Sequence, residues 1–191
     1  MAGVDAFGIL VAELLLKQTK AEMVAEIWPV LMRQYPSARQ LSIADPRELF
    51  SIIEKLGLGQ QRVKALVEVS SAICRQRNIP SEVSELFQLP FVGLYSAHAV
   101  ASFAFRRRVP VVDVNVIRIL SRLCGILPQS DIRKAKAYWD LARSLLPVRR
   151  FVEHNYGMLD FAATVCRSKA PSHDNCPLAH QCSYSQGVER M

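Results

Sequence analysis

Three groups of residues in this 191-residue chain have types and spacings that could do chemistry. The first is LPFVGLYSAHAVASFAF, Leu89 to Phe105, which reads as a helix end, a tight turn and a second helix. Pro90, Val92 and Gly93 make the sharp connection, with Gly93 supplying backbone freedom and Val92 plugging the space between the helices. The turn amides and the N-terminus of the following helix then point outward and can hold an anion such as a phosphate. An ordinary helical hairpin would look the same. The second group is Asp113 in VPVVDVNVIRI, opening a third helix where the dipole favours a negative charge. That residue also suits a plain N-cap. The third is Cys166, Cys176 and Cys182. Five cysteines, an odd number, in a chain whose start lacks a basic n-region argue against a disulfide framework and for a metal or cluster site.

The elements that must position these groups are helical nearly throughout. Ile9 to Leu15 form an apolar helix ending near Gln18-Thr19. Val24, Ile27, Trp28 and Leu31 mark a second, over about 21–33. Asp45-Pro46-Arg47-Glu48 is a helix start with a cap, a first-turn proline and a capping box. Its helix ends at Gly57 or Gly59. Gln61 to Arg75 follow, then a break at Ile79-Pro80-Ser81 that caps a short helix. Further helices follow Asp113 and Asp131 and run around Phe151 to Val165. Cys74 and Cys124 fall in apolar patterns and read as inert core residues. Val109-Pro110-Val111-Val112 reads as a buried extended segment, the proline arguing against a central strand. Residues 167–191 have little periodicity and need a staple.

The net charge of +7 suits a polyanionic partner, and Arg106, Arg107 and Arg108 form the only run of three basic residues. No apolar run reaches membrane-spanning length, so a cytoplasmic, nucleoid-associated monomer is expected if the source is prokaryotic.

LPFVGLYSAHAVASFAF resembles the helix-hairpin-helix motif of the DNA glycosylases related to endonuclease III. VVDVNVIRILSRL resembles that family's catalytic-aspartate segment. AELLLKQTKAEMV, IEKLGLGQQRVKAL and NYGMLDFAATVC resemble further family segments in the same order, so the likeness covers essentially the whole chain. It implies an all-α, two-lobed glycosylase fold with a C-terminal metal-cluster loop. One lobe would span residues 12–126 and the other 1–11 plus 127–191, with double-stranded DNA in the cleft between them.

The resemblance also implies roles. Asp113 would stabilise an oxocarbenium-like transition state at the sugar of a flipped base. Tyr95 stands where strand-cleaving relatives carry lysine, so no amine nucleophile is available and water is the expected nucleophile. The thymine-mismatch branch has tyrosine there and the adenine-mismatch branch serine. Glu13 matches a pocket glutamate that contacts or protonates the base. Gln18 matches a residue that wedges into the duplex, and Pro90, Phe91, Val92 and Gly93 form the phosphate-holding turn. The expected substrate is thymine or uracil opposite guanine. Alternatives are an adenine-mismatch enzyme, whose relatives append a further domain beyond the point where this chain stops, and a non-catalytic DNA-binding relative.

Two departures stand out. Phe91 replaces the first glycine of the usual LPGVG, which restricts φ there, and the chain begins almost at the first core helix. The family's cluster loop, C-x6-C-x2-C-x5-C, becomes C-x6-H-x2-C-x5-C on Cys166, His173, Cys176 and Cys182. This implies a [4Fe–4S] cluster with one imidazole ligand, with zinc or no metal as alternatives.

Overall fold

A computed structural model describes residues 5–126, 131 and 135–187. Its described residues form ten α-helices and two short 3₁₀ turns, with no strand. The chain divides into two compact units, Met1–Arg107 and Arg108–Met191.

In the first unit, α1 (Ala6–Leu15) is capped by Asp5, whose side chain accepts the Gly8 N–H at 2.7 Å. It is apolar around most of its circumference, because it packs against α2 (Ala21–Gln34), α5 (Gly59–Gln76) and α7 (Leu94–Phe103) at once. Trp28 on α2 donates its indole N–H to the Gly8 carbonyl at 2.9 Å, tying α2 to the start of α1. The short α3 (Ala38–Ser42) lies on α5. α4 (Pro46–Ile53) begins as its sequence dictates, with Asp45 accepting the Arg47 and Glu48 N–H groups. Gly57, at φ 74°, turns the chain after the 3₁₀ turn Glu54–Leu56. Gly59 opens α5 pressed against the Phe50 ring, where any Cβ would lie 2.4 Å from a ring carbon. α6 (Val83–Leu86) is capped at Glu82, not at the expected Ser81, whose hydroxyl instead accepts from Arg107.

Arg62 ties these helices together. Only 5% exposed, it donates to the carbonyls of Leu14 (3.1 Å), Leu15 (2.8 Å), Lys17 (2.7 Å) and Gly57 (2.8 Å), and to the Thr19 hydroxyl. The C-terminal carbonyls of α1, which have no intrahelical partner, are thus capped by a side chain from α5. A positive charge there also suits the negative end of the helix dipole.

The second unit is built on α8 (Val114–Cys124), with α9 (Lys136–Leu145) and α10 (Phe151–Thr164) packed on it. Val109 to Val112 has no regular secondary structure, and Val111 and Val112 are buried as expected. It is held by Asn155 of α10, which accepts the Val111 N–H and donates to the Val109 carbonyl. The helix expected to follow Asp131 begins at Lys136, with Ala135 as its N-cap, and residues 132–134 lie outside the described residues.

The division at Arg107–Arg108 differs from the expected 12–126 and 1–11 plus 127–191. Residues on both sides of position 12 belong to one helix, α1, which packs on α2, α5 and α7 of the first unit, whereas α8 packs on α9 and α10. Two cysteine assignments also change. Cys74 is exposed and Cys124 half-buried, because the apolar stripes of α5 and α8 do not include them.

Arg62→Ala strips several part-buried carbonyls of their donor. It should cost about 3 kcal/mol of stability, read as a lowered denaturation midpoint, with Arg62→Lys recovering only part because one ammonium cannot span that set of acceptors.

Candidate functional site

In the first unit, the turn between α6 and α7 is anchored by Val92, 5% exposed and inserted into the core. Gly93 is the N-cap of α7, and no side chain caps that helix. Its φ of −85° is available to any residue, so conformational freedom does not explain the glycine. The left-handed residue of the turn is instead Phe91, at φ 61°. That is the position where the family's first glycine would sit without strain. A Cβ at Gly93 would meet nothing within 4 Å, so the open space beside this backbone is where an anion could approach closely. Pro90 is half-buried just ahead of it. Lys17, at the end of α1, donates its ammonium to the Phe91 carbonyl, fixing the turn against α1.

The same packing of α1 on α7 brings Glu13 and Tyr95 onto neighbouring helices. Glu13 is 6% exposed, and its Oε2 has no hydrogen-bond partner among the described residues. Burial pushes its carboxyl up to about 8, with Lys17 pulling the other way. At neutral pH it is therefore mostly a neutral acid, with a proton to give. Tyr95 lies half-buried in the first turn of α7. Gln18 is exposed in the turn after α1 and has a left-handed backbone at φ 56°.

In the second unit, Asp113 caps α8. Its Oδ1 accepts the Asn115 and Val116 N–H groups at 2.9 and 2.8 Å, and its Oδ2 accepts the Asn115 side-chain amide at 2.5 Å. Asn115 is held in turn by Arg118 (2.8 Å), which also donates to the carbonyls of Ala162 (3.1 Å) and Cys166 (3.0 Å). The aspartate's orientation is thus set by a chain of contacts reaching the end of α10. Sequence reasoning missed Asn115 and Arg118; their i+2 and i+5 offsets from Asp113 were the available signal. Of the arginine run, Arg107 pairs with Glu82 at 2.6 Å and Arg108 donates to the Pro147 carbonyl at 3.0 Å, so both also hold the fold.

The metal site is corrected. Among the described residues no group of three or more His, Cys, Asp or Glu side chains could hold a metal ion. Cys166, His173, Cys176 and Cys182 keep the spacing but do not converge. The Cys182 thiol donates to the Arg122 carbonyl at 3.3 Å, the Cys166 sulfur lies 3.5 Å from the Arg122 guanidinium, and the His173 ring stands edge-on to Tyr184. Arg122 is the staple: it donates to the carbonyls of Arg167 and Ser168 and stacks on Tyr184 at 4.7 Å.

Residues 11–143 match the profile of the HhH-GPD superfamily base excision DNA repair proteins. The chain belongs to that superfamily. It is 36% identical to a thymine/uracil-DNA glycosylase of Pyrobaculum aerophilum, covering 98% of this chain and 84% of that protein. It is 37% identical to an adenine DNA glycosylase of Mycobacterium tuberculosis, covering 92% of this chain but 59% of that protein. The structure of a thermostable thymine-DNA glycosylase superposes with a TM-score of 0.90 at 28% identity, over 96% of this chain and 85% of that one. Endonuclease III trapped on DNA shares the fold, at TM-score 0.87 and 22% identity, over 100% of this chain and 89% of that one. No helix among the described residues is long and apolar enough to cross a membrane.

Two outcomes follow for this superfamily member. A carboxyl whose folded pKa lies above its unfolded one keeps its proton longer in the folded state. Glu13 therefore allows full stability below about pH 4.5 and removes it as the pH rises towards 8. Relative to Glu13→Gln, the wild type should lose about 3 kcal/mol between acid and neutral pH, measured by denaturant titration across that range. Gly93→Ala should melt like the wild type yet bind duplex DNA about tenfold more weakly, measured by fluorescence anisotropy, because the added methyl fills only the outward space.

Proposed function

We propose that the chain is a monofunctional base-excision glycosylase that hydrolyses the N-glycosidic bond of thymine or uracil opposite guanine in double-stranded DNA. The observation that carries the reading is a pair of carboxyls in opposite settings. Asp113 is an acceptor fixed by three N–H donors, and Glu13 is a buried acid with a spare proton. Two carboxyls in such different local settings suit the separate tasks of acid and electrostatic stabiliser.

In the proposed reaction the hairpin turn holds a phosphate near Gly93, and Gln18 enters the stack as the target base leaves it. As the C1′–N bond breaks, its electron pair goes to the base and positive charge develops on the sugar. Asp113 stabilises that charge. Glu13 gives its proton to the departing base, and water adds to C1′, releasing a proton. Tyr95, with no amine, forms no Schiff base, so the strand stays intact at this step. The likeness to the P. aerophilum thymine/uracil enzyme over nearly all of both chains supports the substrate class. A second reading, excision of adenine, is favoured by the similar identity to the mycobacterial adenine enzyme.

Duplexes holding G·T, G·U and A·8-oxoguanine, treated with alkali after incubation, separate the two. Cleavage at G·T and G·U alone is the expected result, and cleavage at A·8-oxoguanine alone would overturn it. Asp113→Asn should lower single-turnover excision at least about a hundredfold while retaining duplex binding. Unchanged turnover would remove the aspartate from the mechanism.

A further inference from the structure

The first unit contains a pocket of about 300 Å³ between the end of α1, the start of α5 and the hairpin turn. Its apolar lining includes Leu14, Leu15, Leu58 and Phe91, and its polar lining includes Lys17, Gln61 and Lys64. The size lies at the lower end of the roughly 300–1,000 Å³ that takes a small organic ligand. Glu13 is not among the lining residues, so this space is separate from the acid assigned above.

Two of its residues are unusual in the same way. Leu58 and Phe91 are bulky, yet both hold left-handed backbone, at φ 52° and 61°. Both also leave much of their side chain in solvent, 49% and 41% exposed. A side chain in that conformation costs about 1–2 kcal/mol, and here burial does not offset it. Such residues persist where the surroundings over-determine them, as the Lys17 ammonium does by gripping the Phe91 carbonyl. The core-filling role in the turn belongs to Val92, so Phe91 is not needed as a plug. What the position delivers is an aromatic ring presented beside a pocket, one turn of chain from the Gly93 backbone.

We infer that this pocket is a base-stacking subsite, in which Phe91 takes the face of one unstacked base of the strand whose phosphate lies on the hairpin turn. The inference rests on the DNA-binding reading above. The occupant follows from chemistry. Aromatic rings stack on any base, and the pocket lining carries cations for the adjoining phosphate: Lys17, and Lys64, which is well exposed in a loose 3.8 Å ion pair with Glu68. A partner that offers a planar ring and an anion one bond-chain apart is a nucleotide.

The test is photocrosslinking with 5-iodouracil placed singly at successive positions of both strands of a bound G·U duplex, with adducts located by mass spectrometry. An adduct on Phe91 from one position is expected. Phe91→Leu, apolar but without a ring, should lower duplex affinity about tenfold, and Phe91→Trp, which keeps a ring to stack, should bind more tightly than Phe91→Leu. Adducts elsewhere on the protein but none on Phe91 from any position would overturn the subsite and leave the DNA-binding reading intact. A Phe91→Leu chain that binds like the wild type would do the same. Failure of the wild type to bind any duplex would overturn both.

Discussion

The first unit depends on one buried guanidinium. Arg62 reaches from α5 to the end of α1 and satisfies carbonyls that a helix terminus leaves open. A helix can end inside a protein only if something supplies those donors. Because Arg62 does so, α1 stops where it does, and Lys17 and Gln18 emerge at the surface beside the hairpin turn. Lys17 then reaches the Phe91 carbonyl. The turn, the exposed glutamine and the pocket are all placed downstream of that one side chain.

Much of this could be read from the chain itself. The Asp45-Pro46 helix start, the buried Val92, the burial of Glu13 and the burial of Val111 and Val112 each follow from local rules of capping or hydrophobic spacing. The role of Gly93 could not be read, since a glycine signals freedom but not which residue uses it. The left-handed step fell two residues earlier, on Phe91. Nor could Asn115 and Arg118 be assigned, because their importance arises only when α10 packs on α8 and offers carbonyls to the arginine.

The C-terminal segment shows the opposite limit. The spacing C-x6-H-x2-C-x5-C fixes separations along the chain, not the directions in which thiols and imidazole point. In the fold these side chains meet Arg122 and Tyr184. With no apolar periodicity of its own, the segment is held by contacts from α8. The staple is a cation stacked on an aromatic ring, with backbone carbonyls accepting its N–H groups.

Asp113 joins two obligations in one carboxyl. Its Oδ1 is committed to two amides of α8, so a single oxygen, already touched by Asn115, remains to face anything else. A longer acid would carry the same charge but lose the reach that starts the helix. A shorter polar residue would start the helix and lose the charge. At this position the helix start can survive a neutral polar replacement such as Asn, whereas the negative charge beside it cannot.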